Sequence, residues 1–239
     1  MLHLFKVDSI PASNLTLSGD AGRHAAAALR LRVGEQVRFT DGVGNSAIGV
    51  VSKIVSKSEL KFELNDHNFH PQPTPKISVL QALPKGDRAL DAVELMVEVG
   101  VDEIYPWQAA RCISNWNEDK KITGVKKWQQ TADAAAAQAR RVWFPVVQDL
   151  INDVSELAGK FDQIIVMHEE ALTAIPNQIA ANVLIVIGPE GSITDSEREQ
   201  LQKLGGIEAR MGESILRSRH AGIAAAAAVL AKSRRWGNG

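Results

Sequence analysis

The apolar run Val183-Leu184-Ile185-Val186-Ile187 ends abruptly at Gly188-Pro189-Glu190-Gly191. Such a run reads as a strand buried on both faces, which places it in a sheet covered by helices. A second segment, Met211-Gly212-Glu213-Ser214-Ile215-Leu216-Arg217-Ser218, leads into a helix made almost entirely of small residues. Buried strands that end in glycine turns leave backbone N–H and C=O groups open to a ligand. Two such loops in one short stretch suggest a small-molecule site built mainly from main chain.

The rhythm around this stretch is βα. Ile77–Leu80, Val101–Tyr105 and Ile164–Met167 are further strands. Helical spacing runs over Ala89–Val99 and from about Gly124 to Arg141, and Thr194-Asp195-Ser196-Glu197 is a capping box opening another helix that ends at Gly205-Gly206. The predicted class is α/β with a parallel sheet. The first 66 residues differ. Leu2–Val7, Glu35–Thr40 and Ala47–Val51 read as short strands of a small barrel, with one helix over Gly22–Leu29. Three prolines between His67 and Pro75 mark a linker, so the expected domains are residues 1–70 and 76–239.

Composition narrows the function classes. A chain of 239 residues carries enough length for two domains, and its 45% hydrophobic and 23% charged residues are those of a globular protein. No apolar stretch reaches the roughly 20 residues of a membrane helix, and Met1–Ile10 lacks the apolar core of a secretory signal. The single cysteine, Cys112, rules out an internal disulfide, excludes cysteine-cluster metal sites and fits a reducing cytoplasm. His67 and His70 have no further ligands nearby, so no metal is expected. The net charge of −1 predicts no nucleic-acid partner by itself. Residues 111–145, however, carry Lys120-Lys121, Lys126-Lys127 and Arg140-Arg141 interleaved with Trp116, Trp128, Trp143 and Phe144. That mixture suits RNA, and it equally suits a solvated helix with its aromatics in the core.

The Gly188–Gly191 loop is followed by neither the Lys and Ser/Thr of a phosphate loop nor a G-x-G-x-x-G pattern, and Glu190 would repel phosphate. A cationic or neutral ligand with an adenine-like edge, sandwiched by Ile187, Ile215 and Leu216, fits it better; a plain strand-to-helix turn is the simpler reading. Arg217 sits at a loop-to-helix junction, where its guanidinium could grip a phosphate, stabilise an oxyanion or form a surface salt bridge.

Taken together, these segments resemble the bacterial 16S ribosomal RNA (uracil-N3)-methyltransferases, the RsmE-like members of the SPOUT class. The resemblance runs the whole length, through His24, Leu29–Gly34, Leu83–Arg88, Glu98–Ile104, Gln138–Arg141, Gly188–Gly191 and Ile215–Arg217. It implies an N-terminal PUA-like β-barrel, a C-terminal α/β domain tied in a trefoil knot, and a cytoplasmic homodimer without metal or membrane contact. It also implies S-adenosylmethionine as cofactor and 16S rRNA, within the small ribosomal subunit, as partner. Carried over, the cofactor residues are Met167, His168, Glu169, Ile187, Gly188, Pro189, Glu190, Gly191, Met211, Gly212, Ser214, Ile215 and Leu216. Arg217 and Glu190 become the catalytic candidates. Arg23, Arg30, Arg32, Lys85, Arg88, Arg140, Arg141 and Arg219 become RNA contacts. The chain departs from the pattern at Ser192, where the family often has glycine, at Ser218-Arg219-His220, and at Leu95. Rival readings are methylation at another RNA position, such as a ribose 2′-oxygen, and a non-catalytic RNA-binding protein.

Overall fold

Contacts in the computed structural model divide the chain into two units, Met1–Gln72 with Ala136–Phe144, and Pro73–Ala135 with Pro145–Gly239. The described residues are 2–86 and 88–236. Met1, residues 237–239 and Asp87 of the Leu83–Arg88 segment lie outside them.

The first unit is built on a five-stranded sheet. Its strands are β1 (Leu4–Lys6), β2 (Asn14–Leu17), β3 (Gln36–Thr40), β4 (Asn45–Ser56) and β5 (Glu59–Phe69), in the order β1-β3-β4-β5-β2. A short helix α1 (Gly19–Arg23) continues into a π-helical turn over His24–Ala28. Alternation in β5 sends Leu60, Phe62 and Leu64 inward, where Phe62 meets Phe39 edge-on at 4.9 Å between ring centroids. Two of these strands, β2 and β5, escape the sequence reading. The expected linker also starts too early, because His67–Phe69 is strand, with Ser46 opposite Asn68 and Asn45 opposite Phe69. A register shift between Ser46 and Ile48 breaks the inward–outward alternation there, so no periodicity marks the end of β5.

Residues 136–144 complete this unit. Trp143 donates its indole N–H to the His70 carbonyl at 2.9 Å, and the Thr40 hydroxyl donates to the Val142 carbonyl at 2.9 Å. Phe144 is buried and takes the Lys6 ammonium over its ring at 4.7 Å.

The second unit is a six-stranded, wholly parallel sheet. Its strands are β6 (Lys76–Ala82), β7 (Glu103–Trp107), β8 (Val146–Val147), β9 (Gln163–Met167), β10 (Asn182–Ile187) and β11 (Gly206–Ala209), in the order β11-β9-β10-β6-β7-β8. The helices are α2 (Arg88–Val99), α3 (Glu118–Gln138), α4 (Asp195–Lys203) and α5 (Ser218–Ala231). Val183–Ile187 is the buried run of β10, flanked by β6 and β9. Leu184 and Val186 face a cluster with Leu157 and Leu201, while α5 packs on α2 and against β6 and β10. Gly222 permits that approach: a Cβ there would stand 2.7 Å from the Met96 sulfur. The capping box at Thr194 forms as expected, its side chain accepting from the Glu197 N–H.

The end of the chain is clamped to this sheet by one ion pair. Arg235 donates to both carboxylate oxygens of Asp102, at 2.6 and 3.1 Å, and to the Pro75 and Gly100 carbonyls. Asp102 is buried and also accepts the Ile77 N–H at 2.9 Å. Removing one member of a buried pair leaves an uncompensated charge. Asp102→Ala is therefore expected to destabilise the second unit by about 3 kcal/mol, read as a lower urea midpoint.

Candidate active site

Because all six strands run parallel, β9, β10 and β11 end on the same edge of the sheet, where loops from neighbouring strands converge. A cleft lies there, in two adjoining lobes of about 310 and 280 Å³. Met167, Glu169, Ile215, Leu216 and Ala221 border both lobes. The first lobe adds His168, Ala209–Glu213 and Ser214; the second adds Ile187–Glu190, Ser192, Ile193, Arg217 and Ser218. Three loops and the start of α5 thus close on one space.

Nearly all residues expected to hold a cofactor come together in it. Gly191 is the exception: it borders neither lobe, and its carbonyl accepts from the Arg111 guanidinium at 3.1 Å. Ser192, Ile193, Ala209, Arg210, Glu213, Ser218 and Ala221 also border the cleft and were not among the expected cofactor residues. Ala209 closes a four-residue strand too short to show a period, Arg210 follows it, and Ser218 and Ala221 lie in the first turn of α5. Behind the wall, fully buried Gln81 of β6 donates to the Ser218 hydroxyl at 3.0 Å.

Arg217 precedes α5 with extended backbone, and its carbonyl accepts the His220 and Ala221 N–H groups at 2.8 and 3.0 Å. Its guanidinium has no ion-pair partner among the described residues, so the surface salt bridge is not formed. Glu190 is exposed at the mouth of the second lobe. Burial pushes the Glu169 carboxyl up, but hydrogen bonding, including from its own backbone N–H, with the nearby Arg198 guanidinium, outweighs this and holds it below the usual range.

The arginines and lysine expected to touch RNA stand elsewhere. Arg23, Arg30, Arg32, Arg140 and Arg141 belong to the first unit, and Lys85, Arg88 and Arg219 to the second. Arg23 pairs with Asp20 at 3.2 Å and Arg219 with Asp91 at 3.1 Å. Of the aromatics in the basic stretch, Trp128 is 2% exposed and packs edge-on against the half-buried Trp116, and Phe144 is buried, so Trp128 and Phe144 offer no stacking face. Arg30 and Arg140 are exposed arginines with φ of 52° and 57°, the left-handed region. At the second, Arg141 N–H returns to the Ala136 carbonyl at 2.9 Å, closing a helix end where glycine is the usual residue.

The model of the RNA methyltransferase domain matches residues 70–230, and that of the RNA methyltransferase PUA domain matches residues 17–65. The chain is 35% identical to the ribosomal RNA small subunit methyltransferase E of Mycobacterium bovis, over 98% of this chain and 93% of that protein. The chain belongs to this RNA methyltransferase family. The Bacillus subtilis relative of the same name is 27% identical, over 95% of this chain and 94% of that one. The fold of this RNA methyltransferase is that of the Neisseria gonorrhoeae enzyme of that name, solved bound to S-adenosyl methionine. That structure is 24% identical, has a TM-score of 0.83, and is matched over 96% and 97% of the two chains. The methyltransferase Lpg2936 of Legionella pneumophila, solved with bound SAM, also superposes at 0.83 with 24% identity, over 96% of each chain.

A non-glycine residue in the left-handed region costs roughly 1 kcal/mol. Arg30→Gly and Arg140→Gly are therefore each expected to raise stability by about 0.5–1 kcal/mol, measured by thermal or urea unfolding.

Proposed function

We propose that this RNA methyltransferase transfers a methyl group from S-adenosylmethionine to N3 of a uridine in 16S rRNA of the small ribosomal subunit. The observation that carries the reading is the two-lobed cleft, which combines apolar walls from Ile187, Met211, Ile215 and Leu216 with main-chain groups and carboxylates. Those walls suit an adenine ring, and Glu169, Glu190 and Glu213 suit a molecule bearing cationic centres. The cofactor, when bound, supplies the electrophilic methyl group.

The remaining chemistry falls to the chain's own residues. Uridine N3 is an imide N–H, so it must lose its proton before or during attack. The Arg217 guanidinium, without an ion-pair partner among the described residues, borders the second lobe, where it would stabilise the anion spread over O2 and O4. Glu190, on the same lobe, is the candidate proton acceptor. N3 lies on the Watson–Crick edge, so the uridine must be unpaired or flipped out of its stack. Arg23, Arg30, Arg32, Arg140 and Arg141 on the first unit, with Lys85, Arg88 and Arg219 on the second, are the assigned phosphate contacts. The left-handed backbone at Arg30 and Arg140 supports this, since strain kept against glycine points to a side chain in use.

Three further expectations belong to the same reading. The return from edge strand β11 to α5, packed against central β6 and β10, supports the expected trefoil knot. Ile215, 83% exposed, and Leu216 offer apolar surface that a second subunit would help cover in a homodimer. A ribosomal substrate places the enzyme in the cytoplasm.

Transfer of labelled methyl from S-adenosylmethionine to small subunits lacking the modification, followed by nucleoside mapping, tests the reaction. The expected product is 3-methyluridine at one site; label on a ribose oxygen or another base would refute the assignment. Arg217→Ala is expected to lower the single-turnover rate by about 100- to 1,000-fold. Charge reversal at Arg140 and Arg141 should weaken RNA binding and flatten its salt dependence, with cofactor affinity retained.

A further inference from the structure

Near the end of β6 stands a side chain for which packing alone gives no reason. Gln81 is fully buried, and its amide oxygen has no hydrogen-bond partner among the described residues. A buried acceptor left unpaired costs stability, and methionine would fill a similar volume without that cost. The glutamine is explained by what its amide nitrogen does.

That nitrogen has a fixed orientation. It donates to the Ala82 carbonyl at 2.9 Å and to the Ser218 hydroxyl at 3.0 Å. Turning the amide over would set its oxygen against the Ala82 carbonyl, acceptor to acceptor, so the Ala82 bond decides which atom meets Ser218. Both amide hydrogens are then used, and the Ser218 oxygen is the acceptor. The hydroxyl keeps its own proton, for which no acceptor stands among the described residues. α5 holds the pair together: Ser218 and Gly222 lie one turn apart on the same face, and a Cβ at Gly222 would stand 3.1 Å from the Gln81 amide oxygen. Ser218 is 5% exposed and borders the second lobe beside Arg217, at the positive end of a 14-residue helix.

We propose that Ser218 is a catalytic residue whose hydroxyl donates a hydrogen bond to a carbonyl oxygen of the target uridine, and that Gln81 is the positioning residue that leaves this proton free. This rests on methyl transfer to uridine N3. When the N3 proton passes to the base, negative charge spreads over O2 and O4. That charge is neutralised as the N3–methyl bond forms and the sulfur–methyl bond breaks. A donor already placed at one of those oxygens stabilises the charged state more than the neutral uridine, because hydrogen bonds to anions are the stronger ones. Arg217 and Ser218 thereby share one task from adjacent positions.

The test is single-turnover methyl transfer to small subunits lacking the modification, followed across pH with cofactor saturating and enzyme in excess. Cofactor affinity is measured separately by calorimetry. Ser218→Ala is expected to slow transfer about 10- to 100-fold, the range for a hydrogen bond to a charged group, with cofactor affinity kept within about twofold. Its rate should also level off at a higher pH than the parent's, because the N3 anion forms less readily. Ser218→Thr keeps the hydroxyl and should stay within about threefold of the parent. Gln81→Met should melt within about 4 °C of the parent, since the unpaired oxygen is lost along with the amide's bonds, yet slow transfer about tenfold. The double variant Ser218→Ala/Gln81→Met should be little slower than Ser218→Ala, because both changes act through one hydroxyl. A loss confined to cofactor affinity overturns the proposal, as does additivity in the double variant. Gln81→Met as fast as the parent overturns the positioning role. If the parent makes no 3-methyluridine, the functional reading falls; if it does and Ser218→Ala is equally fast, only the role of Ser218 falls.

Discussion

The burial of β10 between β6 and β9 is the constraint on which the site depends. Its residues from Val183 to Ile187 are fully buried, paired in parallel register to both neighbours and covered on both faces. Parallel pairing fixes direction as well as position, so Met167 and Ile187 end opposite one another and Ala209 ends beside Met167. The cleft is a consequence of that alignment. Its loops hold little regular structure of their own, and segment 211–217 is exposed throughout. A rigid sheet carrying irregular loops is the usual division of labour between stability and binding.

Much of this was legible before any coordinates. A continuous apolar run cut off by Gly-Pro-Glu-Gly can satisfy its backbone in few ways, and the structure places both glycine-bearing loops on one cleft. The α/β class, the N-terminal strand domain and the capping box at Thr194 were equally readable, since each rests on local pattern. Tertiary context hid the rest. β2 and β11 have four residues each, too few for a period, and β8 has two. β5 hid its polar end behind a register shift in its partner. Residues 136–144 sit in the second half of the sequence but cluster with the first unit, which no composition change announces.

The same contrast runs through the site. Glycine-rich loops and the apolar flank Ile215-Leu216 signal themselves by residue type. The polar wiring does not. Gln81 reaches Ser218 across 137 positions, and Arg111 braces Gly191 across 80. Ser192 is the intermediate case: visible in the sequence as a departure from glycine, and meaningful only once its left-handed backbone and its bond to His168 are known. Arg30 and Arg140 teach the same lesson on the first unit, where a side chain is kept at a position that conformation alone would give to glycine.

The central claim is that the loops after β9, β10 and β11 together form the cofactor site. A crystal structure of the chain grown with S-adenosylmethionine tests it most directly. The account requires the adenosyl group in the cleft, with the Gly188–Glu190 turn on one side, Ile215 and Leu216 on the other, and Glu169 within hydrogen-bonding distance. Cofactor bound away from these loops, or contacting only one of them, would contradict it.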